Sequence, residues 1–538
     1  MYKTVKIAAF IGGAILCSAF YSSAQEKSVW TDLNFVRQSE VWLQSNNAAG
    51  LKYMPVDTIS EISFSGVSGK GSFVNYNQSD QSYSYGALAE SYFRLNKKVV
   101  LFGNISYTNF TGKNMGASAW IDPDFAPFNL VEYADTTRGE KSMESYHLTG
   151  ATAIDLGKKI SVGGKMDYLS ANYVKKKDMR HLNMLMDLNL SLGVLYQLGA
   201  LGEVGLNYNY RKRVEETNFD TYGNTDRTYS TLISWGTFWG QVEGFGSEGF
   251  TGEGDNNPLV DKTNGLSLQV NLNIKPRLRY FNEFTLNKRE GYFGVQSDQT
   301  KVYTDHSVDI LAYRGSLLYR SPKVLHQLHL QASNEKLENW KTNYYFDVDP
   351  GSGIEYVKYY APTKVLVRTN LEAAVEYQLH SGYDGFNPAW SFVAGAAYKS
   401  REQKVSFYPL YRNQTVNQLM GKAQVKRNIV SGKNQYTFLL GTLLSSGSGT
   451  VLDAGNYAGS TDTSTNYRST DFNLYREYEY LTAASIIAQA GFKYARLLRQ
   501  NKIRAFAGVN YERMKAGDIE YSKGDFFNTV SFSIGCSF

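Results

Sequence analysis

Side chains able to do chemistry are few in this chain and badly spaced for catalysis. The six histidines stand at 147, 181, 306, 326, 329 and 380. His326 and His329 are three apart, so on a strand they point to opposite faces and make a poor chelate. Asp122-Pro123-Asp124 offers two carboxylates to a calcium ion without the further oxygens such a site needs. Gly244-Phe245-Gly246-Ser247-Glu248-Gly249 fits G-x-G-x-x-G in letters but lacks the strand-to-helix setting that brings a pyrophosphate to a helix N-terminus. There is no G-x-S-x-G, P-loop, H-E-x-x-H or C-x-x-C. No residue is therefore assigned a catalytic, cofactor-binding or metal role, and an enzyme is only a distant third reading.

Two other sets of residues carry what chemistry there is. Trp120 and Phe125, with Phe128, lie within 112–142, and Trp235, Phe238, Trp239, Phe245 and Phe250 lie among the glycines of 230–264. Rings in a water-facing loop usually find a surface to cover. They fold into a barrel mouth as a constriction, dock on a partner, or stack against a sugar or other flat ligand. The second set is ionic. Glu90, Arg94, Lys165, Asp167, Asp187, Glu203, Arg279, Glu283, Arg504 and Glu512, together with Arg211, Glu372 and Glu376, fall on the inward phase of alternating segments. Such residues either set the ion preference of a pore or pair across its lumen and hydrate the wall.

The elements that must position these side chains are strands. The closing residues Val530 to Phe538 alternate apolar with small polar, so Val530, Phe532, Ile534, Cys536 and Phe538 meet lipid while Ser531, Ser533, Gly535 and Ser537 face a lumen. The period returns in Leu266 to Ile274, in Met184 to Val194, and in 87–95, 99–107, 160–168, 204–210, 278–286, 371–379, 419–425 and 503–511. Each run is about one bilayer-spanning strand of ~9 to 11 residues. Tight links at Asn96-Lys97-Lys98, Gly157-Lys158-Lys159, Gly199-Ala200, Pro276, Ser321-Pro322-Lys323, Ser431-Gly432-Lys433 and Gln500-Asn501-Lys502 alternate with longer segments, the asymmetry of short periplasmic turns and long outer loops. The pattern predicts an all-β, transmembrane, antiparallel outer-membrane β-barrel of about 18 strands, or 14 or 16 if some pairs lie outside the membrane. Its first strand should fall within 62–77, its barrel within 61–538, and its long loops at about 112–142, 216–264, 337–362 and 448–477.

Export fits this architecture. Lys3 and Lys6, an apolar run from Ile7 to Phe20, and Ser22-Ser23-Ala24 make a signal peptide over 1–24, cleaved after Ala24 to leave Gln25 first. Cys17 follows Leu16, where lipidation would want a small residue. Beyond residue 24 no apolar stretch approaches the ~20 residues of a helical span; the best, Leu481 to Phe492, is broken by Thr482, Ser485 and Gln489. A mean hydropathy of −0.38 suits strands that hide apolar side chains at every second position, and 41 tyrosines suit two interfacial girdles. Only Cys536 remains after cleavage, so no disulfide is expected. Removing Lys3 and Lys6 takes the net charge from +6 to +4, too little to argue for nucleic acid.

A barrel of this size encloses a lumen that something must fill or use. Residues 25–60 are too few for a complete plug domain, but 31–43 can form a short helix, capped by Thr31 or Asp32 and ended by Gly50, with Leu33, Val36, Trp42 and Leu43 on one broad face. It either enters the lumen as a small hatch built on Trp42 or lies against the periplasmic rim. Gln25 as first mature residue, the segment Trp42-Leu43-Gln44-Ser45-Asn46-Asn47-Ala48-Ala49-Gly50-Leu51 and the Phe538 ending resemble an uncharacterised family of Bacteroidota-type outer-membrane β-barrel proteins. The stretch Asn47-Ala48-Ala49-Gly50 is similar to the start of fatty-acid-transporter-type barrels. The family resemblance implies an accessory role beside TonB-dependent uptake systems and assigns no functional residue. Two readings stand. One is a loop-gated, porin-like channel for small solutes in the outer membrane; the other is a non-conducting barrel that docks on a TonB-dependent receptor or a surface lipoprotein.

Overall fold

A computed structural model of the chain describes residues 30–221, 227–247, 249–382, 385–457, 466–498 and 503–538. The leader, its cleavage site, Cys17, Glu248 and the link Gln500-Asn501-Lys502 lie outside the described residues. In chain order the strands are β1 (Thr58–Gly71), β2 (Gln81–Asn96), β3 (Val99–Met115), β4 (Asn129–Glu132), β5 (Gly139–Asp155), β6 (Ile160–Lys175), β7 (Arg180–Gln197), β8 (Gly202–Asp220), β9 (Ser230–Gly236), β10 (Trp239–Gly244) and β11 (Asn257–Lys275). They continue with β12 (Leu278–Gly294), β13 (Val302–Arg320), β14 (Val324–Val348), β15 (Glu355–Ser381), β16 (Trp390–Phe407), β17 (Leu410–Ser431), β18 (Asn434–Asn456), β19 (Tyr467–Ser469), β20 (Ser485–Leu498), β21 (Ile503–Ala516) and β22 (Phe526–Ser537). Helices Leu33–Ser39 and Asp471–Thr482 complete the described elements of note.

Eighteen strands form one antiparallel sheet that closes on itself, β22 pairing with β1 from Glu61↔Ser537 to Gly71↔Phe527. Closure leaves no open edge, which is what a sheet in hydrocarbon requires of its backbone. The faces are inverted relative to a water-soluble protein. Leu266 and Leu268 on β11 are 54% and 47% exposed, while Ser267 and Gln269 are 0% exposed. Leu192, Phe532 and Ile534 likewise point outward and Glu283 and Asn271 inward, so the outer band is apolar and the wall of the lumen polar. The barrel is thus of the outer-membrane type.

Links at one end are short for local reasons. The Asn96 side chain accepts from the backbone N–H of Lys98 (2.8 Å) and Val99 (3.1 Å), closing the β2–β3 turn. At the β17–β18 turn Gly432 takes a left-handed φ of 58° that a side chain would resist. The opposite end departs from the expected pattern in three places. Segments 176–179 and 408–409 are short there too, and 337–362 is not a long loop but mostly ladder, since β14 has 25 residues and β15 has 27. Past Thr342 most side chains on both faces of that projecting hairpin are exposed, so it carries no apolar period to mark it as strand. The first strand also begins earlier than expected, at Thr58, because Ile59 is drawn inward by the chain that precedes it.

Ile534 and Ser533 test the register of the closing strand. Ile534→Arg sets a charge on the lipid face and should cost about 2 to 4 kcal/mol if it lies near the midplane, with loss of the heat-modifiable folded band, whereas Ser533→Arg, facing inward, should assemble. Equal loss of the folded band in both would mean that the strand does not present these faces.

Candidate functional site

Residues 30–57 do not hang below the barrel; they cross its lumen at the short-turn end. Asp32 caps the helix Leu33–Ser39 by accepting from the N–H of Asn34 (3.0 Å) and Phe35 (3.3 Å). The helix stops at Ser39 rather than running on toward Gly50, and two 3-10 turns follow, Val41–Gln44 and Ala48–Tyr53. The chain doubles back so tightly that a Cβ on Gly50 would stand 2.6 Å from the Trp42 carbonyl oxygen. Trp42 itself is fully buried against Phe281, with Val41, Ala49, Leu195 and Leu318 around it. Wall glycines make the seat: a Cβ at Gly163 would lie 2.1 Å from the Ala49 nitrogen, and one at Gly193 would lie 2.0 Å from Asn47 Oδ1.

Polar contacts tie this insert to opposite sides of the wall. Asp32 pairs with Lys426 on β17 (2.9 Å), Arg504 on β21 donates to the Thr31 carbonyl (2.7 Å), and Arg37 pairs with Glu90 on β2. Glu40 meets Arg279 on β12 (3.1 Å) and Arg320 on β13 (3.3 Å); Lys52 meets Asp155 on β5 (3.0 Å). Asn47 donates to the carbonyls of Val194 and Leu206 and to Gln269. Burial pushes the Asp32 carboxyl up, but Lys426 and Arg504 overcome that and hold it at about 2.

The opposite end is closed by loops. Strands β4, β9, β10 and β19, from three different connections, pair as a small sheet ordered β19-β10-β9-β4. Its rings pack on inward-facing wall residues: Trp120, Phe128, Trp235, Trp239 and Phe250 share one cluster with Phe293 of β12, Leu337 of β14 and Val405 of β16. Phe245 leans on the same cluster, and Phe238 packs edge-on against Tyr76 (4.8 Å) in a neighbouring one. Of the three fates open to these aromatics, they have taken the first and folded into the mouth. The β9–β10 turn places Thr237 and Phe238 both at φ 50°, and Ala117, where the 116–138 loop leaves β3, at φ 61°. Left-handed backbone at residues with a Cβ costs on the order of 1 to 3 kcal/mol each and persists only where packing dictates it.

Phe125 stands apart from the other rings. It reaches the wall below the mouth core, where the guanidinium carbons of Arg289, Arg213 and Arg211 lie 3.9, 4.2 and 5.3 Å from its centroid. Asp122 accepts from the Phe125 N–H (3.2 Å), and Asp124 lies 3.9 Å from Arg401. Both carboxylates of the Asp-Pro-Asp motif are thus engaged with a turn and an arginine rather than grouped around a cation site.

Between the two closures lie adjoining cavities of about 410 and 400 Å3 that share Arg314, Gln331, Ala374 and Ala397. Their wall charges alternate in sign and pair: Glu283 with Arg314 (3.7 Å), Glu372 with Lys399 (2.8 Å), and Glu376 with Lys422. The remaining charges of the inward phase also find partners. Asp187 holds Arg211 (2.8 Å), Asp167 holds His147 (2.6 Å) with Lys165 at 3.5 Å, and Glu203 accepts from Asn271 (2.6 Å). Arg94 donates to the Met54 carbonyl (2.7 Å), and Glu512 accepts from Gln489 (3.0 Å) and Asn510 (3.1 Å). His326 and His329 face opposite sides of β14, His326 on Tyr377 and His329 on Ser316.

Several participants escaped the sequence reading. Arg213, Arg289, Arg368 and Arg401 belong to the group around Phe125, and helix Asp471–Thr482, buried on Asn473, Leu474 and Glu477, brings Glu477 to Arg401 (2.7 Å). Thr470-Asp471 ahead of an amphipathic dozen was the available signal for that helix.

With the geometry in place, the sequence finds relatives. Residues 48–538 match a family of unknown function, DUF6850. The chain belongs to that family. No curated protein matches it. Among solved structures it is similar to BauA, the ferric preacinetobactin receptor of Acinetobacter baumannii, at 9% identity and TM-score 0.41 over 89% of this chain and 79% of that one. The outer membrane transporter YddB of Escherichia coli matches at 8% and 0.40, over 89% and 80%. The monoaromatic hydrocarbon channel CymD matches at 8% and 0.29, over 91% of both.

Asp32 gives the N-terminal insert a pH dependence. Its carboxyl ordinarily titrates at 3.8 and here at about 2, so its contribution to seating is complete above about pH 4 and is lost as pH falls through 2. Asp32→Asn should be clipped by pepsin within 30–57 faster than the native chain at pH 4, and the difference should shrink at pH 2. Indistinguishable clipping at pH 4 would remove Asp32 from the seat.

Proposed function

We propose that this chain is an outer-membrane barrel that passes small polar or charged solutes through a lumen closed at rest by two inserts of its own. The observation that carries this reading is the pair of adjoining cavities between the closures, each with paired charges on its wall. A barrel built only as scaffolding has no need of an ion-lined space between two lids, whereas a path for a hydrated solute requires mixed charges and amides along its wall. Each cavity falls in the range that holds a small-molecule ligand, roughly 300 to 1,000 Å3.

The alternative, a non-conducting barrel docking on a TonB-dependent receptor or surface lipoprotein, draws support from the dense ring packing of the mouth. Trp120, Trp235 and Phe250 form a core that resists displacement. The closures stand in series, and that decides how the readings are separated. Any mouth deletion cuts into packed structure, 240–255 by removing strand residues 240–244 and Phe250 and 121–128 by removing Phe128, so a mouth deletion is read only where the barrel still assembles. Removing either closure also leaves the other in place.

Three purified variants in planar bilayers should therefore behave unequally. Deletion of 30–53, and separately of 121–128, should each leave conductance near the native value, while the double deletion should raise it severalfold, provided each runs as a heat-modifiable band. A double deletion that assembles and stays closed, with recovery of a receptor or lipoprotein from native membranes lost, would favour the docking reading instead.

A further inference from the structure

The tip of the 116–138 loop sits where five arginines converge. Arg211 and Arg213 come from β8, Arg289 from β12, Arg368 from β15 and Arg401 from β16, all with their side chains on the inner face. Three of them have wall carboxylates close by: Asp187 for Arg211 (2.8 Å), Glu215 for Arg213 (3.0 Å) and, at a longer 3.7 Å, Asp261 for Arg289. The other two lean on the loops. Arg401 takes Glu477 from helix Asp471–Thr482 and faces Asp124, and Arg368 donates to the Ala126 carbonyl (3.3 Å).

Two of these guanidinium groups are almost wholly buried, Arg289 at 2% exposure and Arg368 at 7%, yet in each neither Nε nor Nη2 hydrogen-bonds to the protein. Asp261 does not fill the gap for Arg289: its Oδ1, hydrogen-bonded to His306 Nε2 at 2.7 Å, stands 3.7 Å from the Arg289 Nε, and its Oδ2 is itself buried without a partner. Buried donors left without an acceptor are expensive, and a fork of N–H groups held in place without a partner is a fork ready for a carboxylate. The object now in that place has a matching chemistry. Phe125 lies flat among three guanidiniums, its ring face meeting cations, and Asp122 and Asp124 flank it with two carboxylates, the Asp124 side chain 82% exposed. The loop therefore presents an aromatic ring with adjacent negative charge to an arginine cluster.

We propose that Asp122–Phe125 is a built-in pseudoligand, and that the arginine cluster is a recognition site for an anionic solute bearing a flat ring, an aromatic carboxylate, which takes the place of the tip when the loop withdraws. This rests on the transport reading above and names its substrate class. Arg289 and Arg368 supply the carboxylate-binding fork; Arg213 and Arg289 supply the stacking faces. Withdrawal removes Asp122 and Asp124 from the cluster, so the incoming anion restores the charge balance that the loop provided. Phe128, just along the same loop, and Trp235 of β9 remain as the mouth core and limit the movement to the tip.

The test uses the full mature chain in detergent, with 2-naphthoate as probe followed by calorimetry, and 2-naphthylmethanol and cyclohexanecarboxylate as neutral and non-aromatic controls. The triple variant Asp122→Asn, Phe125→Ala, Asp124→Asn removes the competitor while keeping the turn acceptor at 122. It should bind 2-naphthoate about tenfold more tightly than the native chain, and each control more weakly than 2-naphthoate. Adding Arg368→Gln to the triple variant should return affinity to the native level or below. Equal binding of 2-naphthoate by the native and triple-variant proteins, both running as heat-modifiable bands, overturns the proposal, as does unchanged affinity on adding Arg368→Gln. Tight 2-naphthoate binding without its flux into liposomes would sustain the site and sink the transport reading; severalfold conductance in the double deletion with no 2-naphthoate binding would do the reverse.

Discussion

Circumference is the constraint from which the remaining structure follows. A closed sheet of about eight strands can fill its interior with the side chains of its own wall; one of eighteen cannot. Once β22 meets β1, an interior too wide for wall side chains to span must be hydrated or filled with chain from elsewhere. This barrel does both. Residues 30–57 fill one end, three loop segments fill the other, and a polar space survives between them.

The two closures are held by different forces, and the difference follows from what each has to offer. The N-terminal insert divides its apolar side chains among three small clusters, around Leu33, Trp42 and Trp30, and adds to them ion pairs and backbone carbonyls capped by Arg94, Arg314, Arg320 and Arg504. Charged contacts of this kind are sensitive to pH and salt. The mouth sheet instead buries Trp120, Trp235, Trp239, Phe128 and Phe250 on apolar wall positions such as Phe293 and Val405, a contact indifferent to either. The wall supplies its inner apolar patches where the two closures need them, the largest of them under the mouth sheet.

Much of this was legible in the chain, and the failures have physical causes. Strand phase was readable wherever one face is apolar and the other polar: the ten inward charges from Glu90 to Glu512 and the outward residues of Val530 to Phe538 stand on the faces their alternation assigns. Phase vanished in 337–362, where neither face of a projecting hairpin is apolar, and a ladder passed for a loop. The capping residue Asp32 was visible but the helix end was not, since what stops it is the doubling back of Gly50 onto Trp42, a contact between turns rather than a local preference. The arginine cluster was beyond reach for another reason. Arg213, Arg289, Arg368 and Arg401 are brought together by registers across a sheet, and all four lie beyond the runs whose alternation was legible, although the first three share strands with the singled-out Arg211, Glu283 and Glu372.

The seat of the N-terminal insert also fixes an order of events. Thr31 is held by Arg504, 473 residues away in the chain, and Asp32 by Lys426, 394 away. These contacts are among the most non-local a polypeptide of this length can make, and non-local contacts come late because a long stretch of chain must be ordered before they repay it. The pocket for residues 30–57 does not exist until β17 and β21 stand in the sheet, so a segment that precedes every strand of the barrel in sequence is the one that settles last. Until that moment an assembling barrel is open at its short-turn end, and seating of the insert is the step that closes it.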